Sequence, residues 1–281
     1  MPHIQIPGAN LYYEEQGTGP ETIVFAHGLL WSGQMFAPQV AAFRDRYRCV
    51  TFDFRGQGRS EVTPGGYDMD TLTADAVALI LALGCAPCHF LGLSMGGFIG
   101  MRLAIRHPEL LRSLMLLETS ADPEPQENLG RYRRLSFVAR WLGFRLVAKP
   151  VFGIMFGRKF LEDPARAELR EEYRRHLFAN DRIGITRAVQ GVIDRQGVDG
   201  ELDSIRVPTL ILVGDQDVAT VPAKAERIHA RIDGSTLRVI PGAGHSATIE
   251  EPEAINRALQ DFLTRLSFSS SSSPPLSAPS S

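Results

Sequence analysis

Short, continuously apolar runs alternate with helix-like segments along most of this 281-residue chain. Six of these runs have the length of strands, and they cover residues 21–28, 47–54, 88–94, 111–119, 207–215 and 235–244. A run without polar alternation is typical of a strand that is buried on both faces, as in a parallel sheet covered by helices. The alternation therefore predicts an α/β fold with a mostly parallel sheet.

The segments between these runs predict helices at 69–84, 95–108 and 251–266. Two further short runs at the amino terminus, "HIQIPG" and "NLYYEEQG", each end in glycine. They predict an antiparallel hairpin at the edge of the sheet, which brings the expected number of strands to eight.

The alternation is interrupted from residue 121 to residue 203, where no run resembles a strand. The helical sequence of this stretch predicts a cap inserted into an α/β core that is formed by residues 1–120 and 204–266. Residues 267–281 are mainly serine and proline with little to bury, which predicts a disordered tail.

Charge and composition limit the classes of partner and the location expected for this chain. The 30 basic and 32 acidic residues nearly balance, so nothing indicates a nucleic-acid or membrane-surface partner. The chain begins without a signal-peptide pattern and has no apolar run of membrane-spanning length, so a cytoplasmic location is expected.

Cys85 and Cys88 form a CxxC pair, which is typical of a redox or zinc site, but ordinary buried cysteines are the more common explanation.

The stretch "GLSMGG", residues 92–97, puts Ser94 at a strand-to-helix turn. Such a turn can strain the serine backbone and project its Oγ from the top of the sheet. Gly92 and Gly96 leave room for so sharp a turn. The amide of Met95, at the amino end of the following helix, is expected to point at an oxyanion formed on the substrate.

A serine hydroxyl becomes a nucleophile when a histidine takes its proton, and that histidine needs an orienting carboxylate. His245 lies in a glycine-bearing loop between a predicted strand and the last helix, and Asp217 follows the run that precedes it. The predicted catalytic residues are therefore Ser94, Asp217 and His245, in the chain order expected for this architecture. Leu29, after His27 and Gly28, is the predicted second oxyanion donor.

Several stretches together resemble the α/β-hydrolase-fold serine hydrolases over residues 1 to about 266. They are "HGLLW" (27–31), "DFRGQGRS" (53–60), "GLSMGG", "GDQD" (214–217) and "GAGH" (242–245). The resemblance implies that Asp53, Arg55 and Ser60 brace a loop beside the site and that the helical insert caps Ser94. Within the family, the chain is most similar to the esterase and lactonase branch, which includes 3-oxoadipate enol-lactonases.

The expected reaction is hydrolysis of a small-molecule carboxylic ester or lactone through an acyl-enzyme on Ser94, without a metal or organic cofactor. Three alternatives remain open: a cofactor-free haloperoxidase or perhydrolase, a carbon–carbon bond hydrolase, and a binding module without turnover.

Trp31, Phe137 and Trp141 are predicted to line the substrate pocket. Five cap arginines could hold a substrate carboxylate or form a solvated face: Arg131, Arg133, Arg134, Arg140 and Arg145.

Overall fold

Eight strands form one sheet in the computed structural model, which describes residues 2–271. The strands are β1 (His3–Ile6), β2 (Ala9–Gln16), β3 (Glu21–Ala26), β4 (Tyr47–Phe52), β5 (Cys88–Leu93), β6 (Leu111–Leu117), β7 (Thr209–Gly214) and β8 (Thr236–Ile240). Their order is β1-β2-β4-β3-β5-β6-β7-β8. Only the pairs β1–β2 and β2–β4 are antiparallel. The predicted eight-stranded, mostly parallel sheet with an edge hairpin is confirmed.

The α-helices surround this sheet. They are α1 (Ala37–Phe43), α2 (Met69–Ala82), α3 (Met95–Arg106), α4 (Gln126–Leu142), α5 (Ala148–Met155), α6 (Arg158–Glu162), α7 (Ala167–Ala179), α8 (Arg182–Ile193), α9 (Pro222–Arg231), α10 (Ala247–Glu250) and α11 (Pro252–Ser271). The three helices predicted from the sequence correspond to α2, α3 and α11. Because α11 continues to Ser271, it extends into the segment predicted as a disordered tail, and residues 272–281 of that segment lie outside the described residues.

The central strands are buried on both faces because side chains alternate across the sheet. In β3, Val24 packs in one apolar cluster with Leu79 of α2, and its neighbour Phe25 packs in the other cluster with Leu259 of α11. Each face of the sheet therefore has its own helical layer, as the unbroken apolar runs predict.

The connection from β6 to β7 carries helices α4 to α8 and no strand. Its side chains, including Phe144, Val151 and Leu177, belong to the same apolar cluster as Phe25 of the sheet. The helical insert thus shares a continuous core with the sheet beneath it. No helix within residues 2–271 has both the length and the apolar character needed to cross a lipid bilayer.

Candidate active site

Ser94 joins β5 to α3 and has a positive φ of 52°. A hydrogen bond holds this strained conformation, since the Ser94 amide donates to the Leu117 carbonyl at 2.8 Å. The turn is also so tight that there is no space for a side chain at Gly92 or Gly96. A Cβ on Gly92 would lie 2.2 Å from the Gly96 carbonyl oxygen, and one on Gly96 would lie 2.1 Å from that of Ala26. The glycine spacing is therefore a steric requirement of the turn.

The structure brings Ser94, His245 and Asp217 together at the carboxyl edge of the sheet. His245 Nε2 lies 2.9 Å from Ser94 Oγ, and His245 Nδ1 lies 2.8 Å from Asp217 Oδ2. All three residues are less than one-tenth exposed. Asp215, the alternative carboxylate in the same loop, accepts instead from the Gly242 amide at 2.7 Å and holds the turn after β8.

Hydrogen bonds keep Asp217 ionised although it is buried. Oδ1 accepts from the amides of Ala219 and Thr220 at 2.8 and 2.9 Å, and Oδ2 accepts from the Thr220 hydroxyl at 2.7 Å. Burial favours the neutral acid, but the nearby His245 and these donors outweigh it and hold the pKa of Asp217 far below its usual range. A negative charge is thus available to orient and stabilise a protonated His245.

Glu118 lies behind Asp217 and was missed by the sequence reasoning. It follows β6 directly, is fully buried, and has a positive φ of 46°. Both carboxyl oxygens lie 3.0 Å from the Gly214 amide, and the side chain also hydrogen-bonds Asp217. Burial, together with the charge of Asp217, raises the pKa of Glu118 well above its ordinary value. The raised pKa favours the protonated form of Glu118, and a protonated carboxyl group can donate a hydrogen bond to the Asp217 carboxylate.

Glu250 supports the loop that carries His245, and it too was missed. Its carboxylate accepts from the amides of Gly244 and Ser246, which flank His245, and from the amide of Gly157 in the cap, all at 2.8–3.0 Å. Burial raises the pKa of Glu250 to about 7, although the three amide hydrogen bonds oppose that shift. One buried carboxyl group therefore joins the histidine loop to the cap.

The sequence signal that could have identified both acids is a glutamate at the end of a run of buried residues. Glu118 ends the apolar run of β6, and Glu250 follows Ala247, Thr248 and Ile249, which are all buried. Glutamate is almost never fully buried without a partner, so such positions indicate a polar network at the sheet edge.

Leu29 and Met95, the predicted oxyanion donors, both lie beside Ser94. Met95 begins α3, and Leu29 lines the cavity at Ser94. Neither backbone amide has an acceptor among residues 2–271. The neighbouring Leu30 has a φ of 76°, and its amide donates to Gln57 Oε1 at 3.0 Å, which fixes the loop in this shape.

His27 braces the same loop. Its Nε2 accepts from the Phe54 amide at 3.0 Å, and its Nδ1 lies 2.7 Å from the Gly28 carbonyl oxygen. Burial lowers the pKa of His27, so it remains neutral while it makes these bonds.

The loop "DFRGQGRS" is held by its own polar side chains, in agreement with the resemblance. Asp53 accepts from the amides of Gly33 and Arg59 at 2.7 and 2.8 Å, and the Ser60 hydroxyl donates to the Asp53 carbonyl at 2.6 Å. Arg55 forms a buried bidentate ion pair with Asp75 at 2.6–2.7 Å.

A cavity of about 120 Å³ extends from Ser94 and His245 into the cap. Most of its wall is apolar. The cap contributes Leu135, Ala139, Phe144, Val147, Val151, Ile154, Met155, Leu177, Ile185, Val189 and Val192. A concave, mostly apolar space with a few converging polar groups is the usual arrangement of a small-molecule site.

The prediction that Phe137 and Trp141 line this pocket is wrong. Their exposed fractions are 63% and 66%, because helix α4 turns the opposite face, with Leu135 and Ala139, toward the cavity. Residues four apart share a helix face, so both aromatic side chains point to solvent together.

Trp31 is buried but also lies outside the cavity wall. Its indole nitrogen donates to the Ser246 hydroxyl at 3.2 Å, and its ring packs edge-on against Tyr173 at 5.3 Å between centroids. It therefore supports the histidine loop from the side, and its prediction as a pocket residue is corrected.

The cysteines take no part in this site. Cys85 and Cys88 are buried free thiols, and burial raises the pKa of Cys85 to about 11. Thiolate chemistry is therefore disfavoured at this pair. Within residues 2–271 no cluster of side chains has a composition that could hold a metal ion.

A family model described as the alpha/beta hydrolase fold matches residues 21–252. The chain belongs to this alpha/beta hydrolase family. The match covers strands β3 to β8, the cap and all three converging side chains, so it confirms the resemblance drawn from the short motifs.

Individual relatives within this alpha/beta hydrolase family have different names. A protein named as a carbamate hydrolase, RutD, from Caulobacter sp. (strain K31) is 31% identical, over 90% of this chain and 96% of its own length. A thermophilic esterase from Thermogutta terrifontis has a TM-score of 0.87 at 27% identity, over 95% of this chain and 99% of its own. An enol-lactonase from Burkholderia xenovorans LB400 also has a TM-score of 0.87, at 29% identity, over 94% of this chain and 100% of its own.

Proposed function

We propose that this hydrolase cleaves a carboxylic ester or lactone through an acyl-enzyme on Ser94. The observation that carries the proposal is the hydrogen-bonded chain from Ser94 Oγ through His245 to Asp217, at 2.9 and 2.8 Å, on the floor of an apolar cavity. A hydroxyl, a base and an orienting carboxylate in this order are the elements of nucleophilic acyl transfer.

In the first half of the reaction, His245 Nε2 accepts the Ser94 proton while Oγ attacks the substrate carbonyl carbon. The carbonyl oxygen becomes an oxyanion, and the free amides of Leu29 and Met95 are the proposed donors to it. Asp217 stabilises the imidazolium. When the tetrahedral intermediate collapses, the bond to the alcohol oxygen breaks and His245 protonates the departing alcohol.

In the second half, water replaces the alcohol. His245 takes a proton from this water, and the resulting hydroxide attacks the acyl-enzyme carbonyl. Collapse releases the carboxylic acid and returns the proton to Ser94. With a lactone, alcohol and acid are ends of one product molecule.

The cavity wall supports an acyl or lactone substrate over a small polar one. The cap side is mainly leucine, isoleucine and valine, which would stabilise a bound hydrocarbon group by removing it from water. A carbamate, the substrate class in the name of RutD, would gain little from such a wall.

The test compares Ser94→Ala with Ser113→Ala. Ser113 is a matched control because its hydroxyl also contacts a histidine, with His89 Nδ1 at 2.8 Å. This contact lies near the amino ends of β5 and β6, away from the carboxyl edge that holds Ser94. With p-nitrophenyl esters and a set of lactones, Ser94→Ala should lose at least about 10⁴-fold in kcat. Ser113→Ala should stay within about threefold of wild type.

Undiminished turnover in Ser94→Ala would reject Ser94 as the nucleophile. Tight ligand binding without any turnover in the wild-type protein would instead indicate a binding module.

A further inference from the structure

Two charged side chains of opposite sign line the cavity on its cap side. Among the described lining residues, Glu124 and Arg195 are the only ones with a permanent ionic charge. Glu124 Oε2 lies 2.6 Å from Arg195 Nη1, and the two side chains are 8% and 2% exposed. They form a neutral, nearly dry ion pair in an otherwise apolar wall.

Further contacts hold this ion pair in place. Asn128 donates to the second Glu124 oxygen at 2.8 Å, and Arg195 donates to the carbonyl oxygens of Asp122 and Val192 at 3.1 and 2.9 Å. These bonds engage Nε and Nη1 of Arg195 and both oxygens of Glu124, so rotating either side chain away would break existing hydrogen bonds.

The pair also lies close to the proposed nucleophile. The Arg195 guanidinium stacks 4.3 Å from the centre of the Phe98 ring, and the Phe98 amide donates to the Ser94 carbonyl one helical turn away. An acyl group attached to Ser94 and extending into the cap would therefore pass near Arg195.

A second carboxylate on that acyl group would be poorly accommodated. It would lose its hydration, meet the negative charge of Glu124, and find Arg195 already neutralised. The other polar lining groups are uncharged. Burial, together with Glu124, raises the pKa of Tyr132 to about 12, so this phenol is neutral as well.

The cap arginines that could have held a carboxylate lie elsewhere. None of the five lines the cavity. Arg131, Arg133, Arg134 and Arg145 are exposed, and the partly buried Arg140 donates to Thr186 at 3.4 Å. The solvated-face alternative left open by the sequence is therefore the better description of this group.

We propose that Glu124, by neutralising Arg195, makes the cavity selective for uncharged acyl groups. The substrates would then be esters or lactones of neutral, apolar carboxylic acids, and acyl groups with a second carboxylate would be rejected. This inference rests on the proposed ester or lactone hydrolysis.

The experiment compares two esters of the same size and shape, p-nitrophenyl 5-methylhexanoate and mono-p-nitrophenyl glutarate. They differ in a terminal isopropyl group against a terminal carboxylate. Wild-type kcat/KM should favour the uncharged ester at least 100-fold. In Glu124→Gln this preference should fall at least tenfold, because Arg195 then has a positive charge available to the glutarate carboxylate.

The matched control is Glu127→Gln, which lies three residues away and changes the net charge of the protein by the same amount. Glu127 is exposed and lies outside the cavity wall, so its variant should keep the wild-type preference within twofold. Because the readout is a ratio of two substrates, a general change in activity of either variant cancels.

Similar kcat/KM values for the two esters in wild type, or an unchanged preference in Glu124→Gln, would overturn the inference and leave the proposed function standing. If Glu124→Gln did not fold, the wild-type ratio would still decide the substrate class. If wild type hydrolysed neither ester, the proposed function would fail. Calorimetric binding of 5-methylhexanamide against glutaramate would then decide charge selection, with equal affinities counting against it.

Discussion

The floor and the roof of the cavity are built in different ways. The floor, at the carboxyl edge of the sheet, places Ser94, His245 and Asp217 on a network of hydrogen bonds less than 3.0 Å long. The roof, made by the cap, is an apolar surface with one ion pair, Glu124 with Arg195. The difference fits the proposed function, in which proton transfer requires fixed angles and distances, whereas an acyl group requires only a wall of suitable shape and charge.

The floor also has a second layer of acids that the roof lacks. Glu118 hydrogen-bonds Asp217, and Glu250 accepts amide hydrogen bonds from both neighbours of His245. Burial comes first among the causes that raise the pKa of each acid. If this layer positions the proposed catalytic residues, its loss should affect turnover more than changes in the roof.

The largest effect in this comparison is expected at Glu118. Glu118→Ala should lower kcat about 10- to 100-fold, because Asp217 loses a donor and the Gly214 amide is left buried without an acceptor. Glu118→Gln should keep kcat within about fivefold, since an amide can replace a neutral acid as both donor and acceptor. Steady-state kinetics with a p-nitrophenyl ester measures both variants.

Equal losses in Glu118→Ala and Glu118→Gln would show that an acidic proton is needed at this position. No loss in Glu118→Ala would show that the floor functions without this layer.

A smaller effect, on stability, is expected at Glu250. Its pKa of about 7 in the folded protein lies above the ordinary 4.5, so the folded state binds this proton more tightly than the unfolded state does. The contribution to the free energy of unfolding is therefore full below pH 4.5 and decreases as pH rises to about 7. Between pH 5.5 and 8 it should fall by about 2 kcal/mol.

Urea unfolding of wild type and Glu250→Gln at these two pH values measures this contribution. Glu250→Gln should lose about 2 kcal/mol less than wild type over the interval, because other titrating groups cancel between the two proteins. An identical pH dependence in both proteins would contradict the raised pKa.

The smallest effect is expected on the outer face of the roof. The double variant Phe137→Ser/Trp141→Ser should change kcat/KM for short esters less than twofold, because both side chains are mostly in solvent. Phe144→Ala removes a buried aromatic ring from the cavity wall. The ratio of kcat/KM for long esters to that for short esters should therefore change at least threefold. A series of p-nitrophenyl esters from acetate to octanoate separates the two cases.

Prediction from the sequence succeeded where local chemistry decides the structure. Apolar runs located the parallel strands, and the glycines around Ser94 identified the strained turn, because both depend on residues that are neighbours in the chain. The convergence of Ser94, Asp217 and His245 was also predictable, since the carboxyl ends of parallel strands meet at one edge of the sheet.

The cavity wall was not predictable in the same way. All three predicted pocket residues, Trp31, Phe137 and Trp141, lie outside it. A helix of the cap is apolar on more than one face, and only its packing against the core decides which face turns inward.

The sequence by itself determined the pattern of polar and apolar positions, the strained turn at Ser94 and the residues that could meet there. The tertiary structure alone decided that Glu118 lies under Asp217, that Glu250 joins the histidine loop to the cap, and that Glu124 neutralises Arg195. The physical reason is that the strength and sign of a buried charge depend on which distant groups share its low-dielectric surroundings. Those neighbours come from strands and helices that are far apart in the chain.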